Sequence, residues 1–135
     1  MLLLANGIKT AKCLIYRNGA PLPNYESVAE ELGGVLFVKP SRSGSSVGVS
    51  KVTQKDDFAR ALKKALEHDD TVLIEEAIVG RELETAILGN FPKHKVSGVG
   101  EIISGAEFYD YDDKYADDSK AQVLTNVELP EPVEQ

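Results

Sequence analysis

"FVKPSRSGSSVGVSKV", residues 37–52, sets Gly44, Gly48 and a run of serines between two strand-like runs, with Lys39, Arg42 and Lys51 built into it. "VLFVKP" is rich in β-branched and aromatic residues and ends at Pro40. "VGVSKV" regains strand character after the Gly-Ser segment, so the stretch predicts a hairpin with a long tip. Glycine accepts positive φ and close approach. The tip Gly44-Ser45-Ser46-Val47-Gly48 can therefore turn backbone N–H groups inward as an anion-binding concavity, with Lys39 upstream to add a charge-assisted hydrogen bond. It matches neither the P-loop nor the dinucleotide fingerprint. On these residues alone, an anion cradle and a plain exposed hairpin tip both stay open.

Outward from the hairpin, the elements follow from capping and periodicity. "NYESVAEELGG" has Asn24 as N-cap, Glu26 and Glu30 near the positive helix end, and Gly33 and Gly34 as a stop, which predicts a helix over 25–32. "TQKDDFARALKKALEHDD" has Thr53 three residues before Asp56, a capping-box-like start, with Phe58, Ala61, Leu62, Ala65 and Leu66 along one helical stripe. Before these, "MLLLANG" reads as a helical turn or two closed by Gly7, and "AKCLIYR" as a short strand. After them, "TVLIEE" reads as a buried strand. "RELETAILGN", with Leu83, Thr85 and Ile87 alternating against Glu82 and Glu84, and "KVSGVGEIIS" suggest an antiparallel meander. "AQVLTNVELPEPVEQ" supplies one more short strand. This order is α+β and lacks the regular alternation of a doubly wound parallel sheet.

The composition bounds the partners. Fifteen Lys and Arg against 22 Asp and Glu give a formal charge of −7, a field that repels nucleic acid phosphates and anionic membrane surfaces. Any anion must be held by a local cationic spot. The single Cys13 cannot form an internal disulfide, "MLLLA" lacks the basic region and length of a signal peptide, and no stretch approaches the length of a membrane span. The expectation is a cytoplasmic protein that binds neither nucleic acid nor membrane.

Two further stretches can carry chemistry. "LIEEAIVGRELETAI" leaves Glu75 and Glu76 at a strand end and Glu82 just past a glycine turn, where carboxylates either accept from an amino group or ribose hydroxyls or are simply solvated. "EFYDYDDKYADD" gathers acids around Lys114. Two like charges about 4 Å apart repel by about 4 kcal/mol at an effective dielectric of about 20. Such a loop closes over a phosphate only with Lys114 pointing inward and metal ions masking the acids; otherwise it is a solvated loop. It lacks the EF-hand spacing. His68 and His94 stand apart among surface-type residues, and Cys13 reads as a small core residue. No Ser, His and acid set argues for hydrolysis.

Taken together, "VKPSRSGSSVGVSKV", "VLIEEAIVGRELETAILGN" and "GEIISGAEFYDYDDKY" resemble the central part of D-alanine:D-alanine ligases of the ATP-grasp superfamily. The resemblance implies an ATP-grasp-like α+β fold of mostly antiparallel sheets with helices on one face, truncated. Residues 1–78 would form the small subdomain and 79–135 part of the large one, with a lid loop over 107–120. It implies Lys39, Ser45 and Ser46 on the phosphates, Glu75 and Ile78 at the adenine and Glu82 on the ribose, with Lys114 and Tyr115 as the catalytic lid. "FYDYDDKY" looks like the alanine-using ligases rather than the lactate-using resistance type. ATP and D-alanine would be the substrates, with reaction through an acyl phosphate in peptidoglycan precursor synthesis.

Family members extend beyond both ends of the matched region. The amino-terminal domain, the arginine for the transition state and the Mg²⁺ ligands are therefore expected outside this chain, with no metal site within it and no ligase activity from it alone. Two other readings stay open: a non-catalytic nucleotide-binding module, and a self-associating module that forms a homodimer through exposed strand edges.

Overall fold

The alternation of "VLFVKP" is realised as a strand with one buried face. In the computed structural model, which describes residues 2–103 and 122–130, the chain divides into two compact units, Met1–Ile78 and Val79–Gln135. The first contains α1 (Leu2–Ala5), β1 (Cys13–Arg17), α2 (Tyr25–Leu32), β2 (Leu36–Pro40), β3 (Ser50–Val52), α3 (Lys55–Leu66) and β4 (Thr71–Glu76). Its strands form one sheet in the order β1-β4-β2-β3, antiparallel throughout.

Because side chains alternate across a strand, the register sorts them. Tyr16, Leu36, Val38, Val52, Val72 and Ile74 lie on one face and are buried, packed with Val28 and Leu32 of α2 and Phe58, Ala61, Leu62 and Ala65 of α3. Burial of each large apolar side chain is worth about 1.5–3 kcal/mol. Tyr25 meets Phe58 edge-on with ring centroids 5.6 Å apart, joining the two helices. The helices thus cover one face of the sheet and leave the other open.

The Asn24 cap forms as the sequence predicts: its side-chain oxygen accepts from the Ser27 N–H at 3.0 Å. The Thr53 start does not. The N-cap of α3 is Gln54, whose extended backbone makes no side-chain capping bond and whose amide instead donates to Asp57. Asp56 and Asp57 in the first turn still complement the helix dipole.

The second unit contains β5 (Glu82–Glu84), β6 (Ile87–Asn90), β7 (Lys93–Val96), β8 (Gly100–Ile103) and β9 (Gln122–Leu124). The expected antiparallel meander is present, with its first ladder broken in two: the outgoing run β5–β6 pairs with the returning run β7–β8 as β6 with β7 and β5 with β8, and β8 also pairs with β9. An extra residue makes the break. From Glu84 to Ile87 the outgoing strand advances three residues, while its partner advances four from Val96 to Gly100, a bulge-like offset at Ser97 and Gly98. The alternation read through "RELETAILGN" accordingly breaks at Thr85 and Ala86, where the Ser97 hydroxyl accepts from the Ala86 N–H at 2.9 Å. Residues 107–120 lie outside the described residues.

Candidate functional site

The open face of the first sheet brings together two of the residues singled out from sequence, Lys39 and Glu75. The register puts Cys13, Ile15, Phe37, Lys39, Lys51, Leu73 and Glu75 on the side away from the helices. Phe37 and Cys13 flank Glu75 on its two neighbouring strands, and Lys39 is diagonal to it. Lys39 Nζ meets Glu75 Oε2 at 2.6 Å, with both side chains partly accessible. Cys13, expected as a small core residue, is instead exposed at the start of β1; its thiol is pushed up from its ordinary value by partial desolvation first and then by the Glu75 charge, against a smaller opposing effect of Lys39.

Glu75 and Glu76 are adjacent but face opposite ways. Glu76 accepts from the Lys12 N–H at 2.7 Å and its own N–H donates to the Lys12 carbonyl at 3.1 Å, so it fastens the start of β1. Ile78 follows β4 and is exposed, just after the Ala77 N–H donates to the Val35 carbonyl at 3.1 Å.

At the hairpin tip, Ser45 and Ser46 both have left-handed backbone, φ 51° and 60°. Two consecutive residues in this region cost about 1–2 kcal/mol each and persist only where the surroundings over-determine them. Successive turns close through Val47 N–H to the Gly44 carbonyl and Val49 N–H to the Ser46 carbonyl. A glycine-serine tip built from such conformations is the backbone arrangement that makes an anion nest.

Arg42, between Lys39 and Lys51 in this stretch, pairs with Asp69. Its guanidinium grips the Asp69 carboxylate through Nε at 3.2 Å and Nη2 at 2.9 Å, and the Thr71 N–H donates to the same carboxylate at 3.1 Å. The hydrogen bond from Arg42 is the main reason that the carboxyl sits at about 2 rather than 3.8. Sequence reasoning missed this pair, since nothing local links residues 27 positions apart; the acid after α3 and the arginine in the loop were its only signal.

In the second unit, Glu82 opens β5 opposite Ile102 and is exposed. Its neighbour Arg81 forms a two-pronged bond to Glu101, 2.8 Å on both prongs, which holds the Glu101 carboxyl below its usual range. Lys114 and Tyr115 lie outside the described residues. Of the residues singled out from sequence, the structure thus joins Lys39 to Glu75, and puts Ser45 and Ser46 at the tip of the hairpin whose first strand carries Lys39.

Comparison with known proteins bears on this arrangement. The family model described as the D-ala D-ala ligase C-terminus matches residues 2–135. The D-alanine–D-alanine ligase of Lactobacillus helveticus is 50% identical over 111 residues, 82% of this chain and 31% of that protein. That of Shouchella clausii is 44% identical over 134 residues, 98% of this chain and 36% of that protein. This chain therefore spans about a third of the length of these curated relatives. Among solved structures, D-alanyl-alanine synthetase A from Vibrio cholerae superposes with a TM-score of 0.77 at 34% identity, over 96% of this chain and 40% of that one. The VanG D-Ala:D-Ser ligase from Enterococcus faecalis gives 0.73 at 31% identity, over 96% and 37%. With a family match along nearly its whole length, an α+β fold of antiparallel sheets and structural neighbours among the ATP-grasp ligases, this chain belongs to the D-Ala-D-Ala ligase C-terminal family.

Proposed function

We propose that this chain supplies the nucleotide-binding part of an ATP-dependent D-alanine:D-alanine ligase. The observation that carries the reading is the Lys39–Glu75 pair on the open sheet face, on the strand that leads into the left-handed Ser45-Ser46 tip. A cation and a nest of N–H groups suit a polyphosphate, and a carboxylate with an exposed strand end beyond it suits the amino group and edge of a purine. In the proposed roles Lys39, Ser45 and Ser46 hold phosphates, Glu75 and Ile78 meet the adenine and Glu82 accepts from ribose hydroxyls. Lys114 and Tyr115 are assigned to closure over the substrates by family resemblance alone.

The reaction proposed for the whole ligase transfers the γ-phosphoryl group of ATP to one D-alanine carboxylate. The amine of a second D-alanine then attacks the acyl phosphate, forming the peptide bond and expelling inorganic phosphate. Such transfer depends on positioned cations more than on a covalent nucleophile. Lys39 would stabilise phosphate charge while Glu75 orients it. The described residues do not fit a Mg²⁺ site, since no cluster of three His, Cys, Asp or Glu side chains converges among them. What the described residues offer the phosphates is their cations and backbone N–H groups.

The test is thermal unfolding of the chain with and without MgATP, beside Lys39→Ala. A ligand at about 100 times its dissociation constant stabilises by about 2.7 kcal/mol, a shift of several degrees. The wild type should shift and the variant should not. A wild type that ignores MgATP would remove the reading. Cytoplasmic location belongs to the same proposal; among the described residues no helix is long and apolar enough to cross a membrane.

A second reading, self-association through strand edges, rests on a separate observation. Ile87, Leu88, Phe91 and Val96 are exposed in the second unit, and β1 and β3 are the edges of the first sheet. A dimer in light scattering that resists dilution would favour it.

A further inference from the structure

The tip 41–49 is held at both ends by one corner of the fold, the turn between α3 and β4. On the outgoing side the Ser41 N–H donates to the Thr71 carbonyl at 2.9 Å, and Arg42 reaches Asp69 with two donors. On the return side Gly48, at φ 75°, lies against His68, the residue before Asp69. A Cβ at Gly48 would stand 2.5 Å from His68 Cδ2 and 2.9 Å from Pro40 Cγ, a distance at which only glycine passes. Lys64 Nζ adds a hydrogen bond to the Val49 carbonyl at 3.3 Å. Between these holds stand Ser45 and Ser46 in their left-handed conformations.

Asp69 is the buried charged residue of this corner, its side chain only 2% accessible. The Arg42 fork and the Thr71 N–H supply three donors to its two oxygens. A planar guanidinium that engages a carboxylate with two parallel donors fixes orientation as well as charge, which a lysine cannot do.

We propose that Arg42 and Asp69 are positioning residues for phosphate recognition: their pair clasps the hairpin to the α3–β4 corner and presets the Gly44–Ser46 backbone for an anion. The inference rests on the reading that this tip receives the phosphates of ATP, and it deepens that reading. In this role Arg42 acts through the loop, with two of its donors, Nε and Nη2, held by Asp69 while its side chain stays 79% accessible. The clasp gives the left-handed serines the outside support that strained backbone requires.

The experiment is a titration of the ¹⁵N-labelled chain with MgATP, following amide signals of the tip (Gly44–Gly48) and of the strand end (Ala77, Ile78). In the wild type both sets should move. In Arg42→Ala the Ala77 and Ile78 signals should still move while the tip signals respond far less, with affinity weakened about tenfold from lost preorganisation of the phosphate grip. Arg42→Lys should fall between the two, and it carries the test by the same criteria if Arg42→Ala does not give a folded spectrum. A variant that binds as the wild type does, or one that stays folded yet loses both sets alike, would overturn the clasp. If neither set moves in the wild type, the nucleotide reading falls and takes the clasp with it; movement in the wild type with an unaffected variant removes the clasp alone.

Discussion

At the scale of single residues, charge pairs with defined partners do most of the ordering. Asp69, held down to about 2 from an ordinary 3.8 chiefly by the Arg42 hydrogen bond, contributes stability that is fully present above its unfolded value. That contribution is lost as the pH falls from the ordinary 3.8 through about 2. Asp69→Asn should therefore be less stable than the wild type at neutral pH and should converge with it across that acid window, as urea midpoints measured against pH would report; parallel curves would refute the assignment. Cys13 gives a second handle. Its thiol is raised by burial and by Glu75, so it should react sluggishly with a thiol reagent at neutral pH and faster only in alkali. Since it flanks Glu75 on the open face, MgATP should slow its labelling further. Labelling indifferent to MgATP would argue that the nucleotide does not cover this part of the sheet.

At the scale of elements, what was legible in the sequence was local, and what was not depended on distant partners. The cap of α2 needs only Asn24 and Ser27, three residues apart, and its oxygen-to-amide bond forms as the pattern indicates. Asn24→Ala should cost about 1 kcal/mol, or roughly 4–8 °C in thermal midpoint for a unit of this size. Thr53→Ala should change the midpoint little, because the structure starts α3 after Gln54 and gives Thr53 no capping role. Equal losses from the two substitutions would mean that the cap of α3 is misplaced. The stripe of α3 was legible for the same local reason: Phe58, Ala61, Leu62 and Ala65 are buried. The pairing of the run 82–90 with the run 93–103 was legible too, but its break was not, since alternation in "RELETAILGN" carries no record of the extra residue on the returning strand near Ser97. Likewise the glycine-serine tip could be read as a hairpin end, but its clasp could not, because Arg42 and Asp69 meet only once β2 and β4 are paired. Of the residues that the family motifs single out, Lys39 and Glu75 are joined through their side chains in the structure.

At the scale of the whole molecule, the two units differ in what holds them. Among the described residues, every member of the hydrophobic core belongs to the first unit, where two helices close one face of a four-stranded sheet. In the second, none of the described apolar side chains is buried, and Leu88 and Phe91 are 76% and 88% exposed. Backbone pairing without apolar burial gives little net stability, because each hydrogen bond replaces one to water and contributes only about 1 kcal/mol. Local opening free energies should therefore diverge along the chain. In hydrogen exchange, the amides of β2 and β4 should open only with the first unit as a whole, whereas those of β5, β6 and β7 should exchange orders of magnitude faster. MgATP should slow exchange in β2 and β4 if the open face receives it. Strong protection of β6 and β7 in the isolated chain would require their apolar residues to be covered. Dilution then separates the causes: protection that falls on dilution means a second copy supplies the cover, and protection that does not means the chain covers itself.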